Sequence, residues 1–157
     1  MNMHIPPVAL TVLLALSLSF SACKKSDENP VVASTTTRLT TSLNGANEKP
    51  SSTTSPATGT FVGDLNTTTR ILSYTVTYQG FPTTDPPTAG HLHRVTNADG
   101  TGPVDINFPS PLPASPFMAV TGVLAQSKVD SLLGGKYYAN MHTKVYPGGA
   151  IWGDVRK

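Results

Sequence analysis

Three histidines lie where the chain shows strand periodicity, and their spacing is the first feature able to support chemistry. In Gly90-His91-Leu92-His93-Arg94, a period of two puts His91 and His93 on one strand face and Leu92 on the other. In Tyr138-Ala139-Asn140-Met141-His142-Thr143, Ala139 and Met141 share a face opposite Tyr138, Asn140 and His142. If Leu92, Ala139 and Met141 fill a core, all three imidazoles point outwards. If the two strands are neighbours, the imidazoles form one exposed cluster flanked by Asn140 and Tyr138. Such a cluster offers three nitrogen ligands to Cu or Zn at about 2.0–2.1 Å. The same spacing suits a hydrogen-bonded polar ladder of His91, His93, Asn140 and His142 that sets strand register. Both readings stay open, and they differ in whether the ring nitrogens converge or are paired to carbonyls and hydroxyls. Asp99, Asp105 and Asp154 are the acids available to complete a metal site.

Other chemistry has little support. The chain has a single cysteine, Cys23, which excludes an internal disulfide framework and a cysteine-cluster zinc site. There is no G-x-S-x-G stretch, and paired carboxylates leave no signature, so no enzymatic activity is expected. Asn97-Ala98-Asp99-Gly100 lacks the later glutamate of a calcium loop and reads as a turn. Lys+Arg 11 against Asp+Glu 9 gives a net charge of +2 with the cations scattered, so nucleic acid is not an expected partner.

The position of Cys23 explains it. Val8–Phe20 is an apolar run too short for a bilayer core, which needs roughly 20 residues, and it reads as the hydrophobic region of a signal peptide. Phe20-Ser21-Ala22-Cys23 then resembles the bacterial lipobox, in which the cysteine is acylated and becomes the mature N-terminus. The resemblance implies a signal peptide over 1–22, which contains His4, and a lipid anchor on Cys23. Residues 23–37 form a polar tether, and 38–157 form the domain. It also implies a cell-envelope location, on a bacterial membrane and facing the periplasm or the exterior.

The domain must be built from strands. Thr and Ser are abundant, and Gly 13 and Pro 14 mark frequent turns. Period-two segments fall at Thr36–Asn44, Thr58–Leu65, Arg70–Gln79, Gly90–Val95, Val104–Phe108, Met118–Leu124, Lys136–Val145 and Ala150–Val155. Tyr74, Val76 and Tyr78 read as packing residues. Asp99-Gly100 and Pro147-Gly148-Gly149 predict hairpins, and the proline-rich Pro109–Pro116 predicts a connection outside the sheet. SKVDSLLGG predicts one short helix, with Ser127 and Asp130 as its N-terminal box and Gly134 as its stop. The expectation is an all-β fold: an antiparallel Greek-key or immunoglobulin-like sandwich or barrel with one short helix.

Three stretches together are similar to the CHRD domain, named for the developmental regulator chordin and found in many bacterial exported proteins. They are Leu43-Asn44-Gly45-Ala46-Asn47-Glu48-Lys49-Pro50, Ala89-Gly90-His91-Leu92-His93, and Tyr138-Ala139-Asn140-Met141-His142-Thr143 followed by Pro147-Gly148-Gly149 and Gly153. The resemblance runs from Arg38 to the C-terminus and implies an immunoglobulin-like β fold in an extracellular setting, without a defined activity. The first expectation for function is therefore a lipid-anchored binding or structural module that meets a protein or cell-surface partner. The second is a protein that binds copper or zinc through His91, His93 and His142, with a redox role.

Overall fold

A computed structural model describes residues 1–4 and 35–157. The chain divides into two units, 1–32 and 33–157, and every element described here belongs to the second. The expected signal peptide, Cys23 and most of the tether lie outside the described residues.

Among the described residues, eight strands and one α-helix follow in order, with a short 3-10 turn at Gly45–Asn47 after the first strand: β1 Thr36–Asn44, β2 Thr58–Asn66, β3 Ile71–Gln79, β4 Ala89–Arg94, β5 Val104–Asn107, β6 Phe117–Val120, α1 Gln126–Leu133, β7 Tyr137–His142 and β8 Ile151–Val155. They form one sheet in the order β5-β4-β7-β8-β1-β2-β3-β6, with every pairing antiparallel. The sheet curls into a half-barrel, in keeping with the all-β expectation and its single short helix.

Alternation sets which side is the core. Leu39 and Leu43 of β1, Phe61 and Leu65 of β2, and Leu72 and Val76 of β3 are all fully or almost fully buried at four-residue spacing, on one strand face. Phe61, Tyr74, Phe108 and Phe117 make an aromatic cluster inside the curl, with ring centroids 5.5–6.4 Å apart in successive contacts. Gly90 permits the approach of Phe108, since a Cβ there would lie 2.5 Å from the ring. The helix adds Val129 and Leu132 to this core. Burial of each such side chain stabilises the fold by about 1.5–3 kcal/mol.

The turn residues fall where expected. Asp99-Gly100 joins β4 to β5, and Pro147-Gly148-Gly149 joins β7 to β8. Pro109–Pro116 connects β5 to β6, strands at opposite edges of the sheet. The helix start differs from expectation. Its N-cap is Ala125, without a side-chain cap, and Ser127 lies inside the first turn, where its carbonyl accepts from Ser131 Oγ at 2.7 Å. Asp130 instead accepts from Gln126 Nε2 at 2.9 Å. Packing of Val129 and Leu132 therefore holds the helix in place of a capping box.

Candidate functional site

The site lies on the outer face of β4, β7 and β8. Register puts His91 opposite Asn140 and His93 opposite Tyr138, and on the far side of β7 it puts Asn140 opposite Trp152 and Tyr138 opposite Asp154. Directly paired residues share a face, so these side chains form rows across three strands. His142 pairs with Ala89, one step along from His91. The three imidazole centroids are 5.1, 5.6 and 6.0 Å apart, and one ring nitrogen from each lies within 4.8 Å of the others.

This face is covered, whereas the alternation of residues predicted exposed imidazoles. His93 is 8% exposed, Tyr138 3% and Asn140 2%, while His91 and His142 are half-buried. Two loops lie over the strands. From the β1–β2 connection, Thr53 Oγ1 donates to the Ala150 carbonyl at 2.9 Å, Asn47 Nδ2 to the Trp152 carbonyl at 3.3 Å, and Lys49 reaches Asp154 at 3.4 Å. From the β4–β5 hairpin, the Gly102 carbonyl accepts from Tyr138 Oη at 3.0 Å.

The loop carbonyls orient two of the rings. His93 Nδ1–H donates to the Gly102 carbonyl at 3.0 Å, and His142 Nδ1–H donates to the Pro147 carbonyl at 3.1 Å. A carbonyl can only accept, so each ring carries its proton on Nδ1 and presents a lone pair at Nε2. Both Nε2 atoms, together with His91 Nδ1, are buried and have no hydrogen-bond partner. Burial, the largest cause, lowers the pKa of all three histidines. For His91, the neighbouring His142 and His93 lower it further, to about 4. Neutral imidazoles with free lone pairs are the form that binds a metal. Bonds of about 2.0–2.1 Å would put the nitrogens roughly 3.3–3.5 Å apart, a modest closure from the present triangle.

Asn140 does not pair with an imidazole. Its Nδ2 donates to Glu48 Oε2 at 3.4 Å, while Asn140 Oδ1 and Glu48 Oε1 remain buried without partners. Burial raises the Glu48 carboxyl to about 7, and the bonds from Asn140 and the Lys49 backbone only partly oppose it. Glu48 lies in the Leu43–Pro50 motif, but sequence reasoning gave it no role, because nothing local shows that the loop folds back over β7. None of the acids considered for the site joins the three histidines. Asp99 accepts from Thr101 in its turn, Asp105 is bonded to Tyr137 and Lys128, and Asp154 is bonded to Trp152, Lys49 and Arg156.

Among the described residues, no helix is long and apolar enough to cross a membrane. Comparisons with curated proteins and with solved structures each gave no significant match. The family model of the CHRD domain matches residues 39–155, a span holding all eight strands' cores, the three histidines and the Glu48 loop. That family suggests a binding or structural module. The chain belongs to the CHRD domain family.

Proposed function

We propose that this protein is a binding module of the cell envelope, anchored to a bacterial membrane through acylated Cys23, and that His91, His93 and His142 form its metal-binding centre. The observation that carries the metal reading is a cluster of three histidines with one ring nitrogen from each within 4.8 Å of the others, each ring having a buried, unpartnered nitrogen and two of the rings being pinned through Nδ1–H to backbone carbonyls. Unpartnered polar atoms are costly to bury, and a metal ion would satisfy three at once. Carbonyl bonds of this kind are the usual outer support of metal-bound histidine. Imidazole suits copper and zinc, and three protein ligands leave a coordination position open.

The anchor rests on the placement of the single cysteine after an apolar run and two small residues. The metal reading is tested by equilibrium dialysis of the protein against Cu(II) and Zn(II), followed by elemental analysis. A ratio of about one ion per chain is expected, with loss of binding in His91→Ala/His93→Ala. An equal metal content in that double variant would remove the histidines from the site.

A further inference from the structure

The histidine cluster is joined to a second feature of the same face. The His93 ring stacks on Tyr138 with centroids 4.7 Å apart and planes 7° from parallel, and Tyr138 stacks on Trp152 at 3.3 Å and 13°. Trp152 lines a cleft with Thr41, Asn47, Glu48, Lys49 and Asp154. Trp152 Nε1–H donates to Asp154 Oδ1 at 2.9 Å, and the Lys49 ammonium lies 5.2 Å from the indole centroid. The Tyr138 hydroxyl is held by both backbone groups of Gly102, donating to the carbonyl at 3.0 Å and accepting from the N–H at 3.2 Å. All three rings are therefore clamped, and they form one continuous π-stack from a metal-facing imidazole to a surface cleft.

We propose that this stack is an electron path, and that a copper ion held by the three histidines exchanges single electrons with a one-electron carrier seated in the cleft beside Trp152. The proposal rests on the metal reading above. Copper is favoured because it binds nitrogen sites more tightly than zinc and, unlike zinc, changes oxidation state. In the step, Cu(I) becomes Cu(II), one electron passes through His93, Tyr138 and Trp152, and the carrier is reduced by one electron. No bond forms or breaks, and the Tyr138 and Trp152 protons stay on Oη and Nε1, hydrogen-bonded to the Gly102 carbonyl and Asp154. Cross-strand packing alone would explain two aromatic neighbours. It does not require that the stack begin on a metal-facing ring and end at a cleft.

The test uses the full chain carrying Cys23→Ser, with a ruthenium polypyridyl photosensitiser on Lys49→Cys, loaded with Cu(I). Flash-quench generation of Ru(III) then reads the rate at which Cu(I) is oxidised. Tyr138→Phe, which keeps the stack, is expected to retain the rate, whereas Tyr138→Leu and Trp152→Leu slow it several-fold with copper content unchanged. Trp152→Met, which removes the ring but keeps much of its bulk, gives the same comparison if a leucine variant fails to fold. Equal rates in copper-loaded variants would overturn the electron path and leave the metal site standing. Failure of the unsubstituted chain to retain copper would overturn both.

Discussion

His93 and His142 show how a backbone carbonyl decides what an imidazole can do. Each donates Nδ1–H to a loop carbonyl, so each offers its lone pair at Nε2 and cannot take up a proton without adding a buried charge. The same burial makes the metal-free domain sensitive to acid. The folded pKa of all three histidines lies below the ordinary value of 6.5, so the unfolded chain binds protons first. The stability this contributes is complete above 6.5 and is lost as the pH falls towards about 4. Glu48 acts in the opposite direction. Its folded pKa is raised from 4.5 to about 7, so its contribution is complete below 4.5 and is lost as the pH rises through 7. With three imidazoles against one carboxyl, denaturation midpoints of the metal-free protein are expected to fall between pH 6.5 and 4. Glu48→Gln removes the opposing contribution, so it should steepen that fall and raise stability at pH 8. An unchanged profile in Glu48→Gln would mean that Glu48 is solvated. Gly149 is the other sensitive residue: its φ is +144°, and a Cβ would lie 2.5 Å from both Asn140 Nδ2 and Glu48 Oε2. Gly149→Ala is expected to cost about 1–3 kcal/mol in urea denaturation, because it adds backbone strain and displaces that pair.

At the scale of elements, β4 and β7 bring the site together through register. Leu92, Ala139 and Met141 are fully buried on the core face, so the alternate positions of both strands must present His91, His93, Tyr138, Asn140 and His142 together on the other. A slip of one residue would bury the histidines in the core and expose Leu92. Leu92→Ala should therefore cost about 2–5 kcal/mol in stability and also weaken metal binding, since its neighbours His91 and His93 are two of the three proposed ligands. This part of the design was legible in the sequence: the period of two fixes faces, and turn residues at Asp99-Gly100 and Pro147-Gly148-Gly149 fix hairpins. What lies over the outer face was not legible. Glu48 and Thr53 are more than ninety residues from Asn140 and Ala150, their partners at separations of 92 and 97, and no periodicity encodes such a contact. The expectation of exposed imidazoles failed at His93, and held only in part at His91 and His142, for that reason. Ser127 and Asp130 failed as a cap for a related one, since the pattern identifies candidate caps but packing of Val129 and Leu132 selects the helix start.

At the scale of the folded unit 33–157, a half-barrel carries its core on the inside of the curl and a covered polar site on the outside of three adjacent strands. The site and the hydrophobic core therefore share strands without sharing side chains, and on the proposed metal reading removal of the ion should lower stability while leaving the strand content intact. The expected anchor is a separate matter of the N-terminal residues. Cys23→Ser is expected to move the protein from the membrane pellet to the soluble fraction and to abolish labelling by a fatty-acid probe; persistence of the label would place the acyl group elsewhere. The most direct measurement of all is the metal content of purified protein after dialysis against copper, compared with His91→Ala/His93→Ala. A three-histidine centre predicts about one ion per chain, lost in the double variant. Copper absent from both proteins, or retained equally by both, would contradict it.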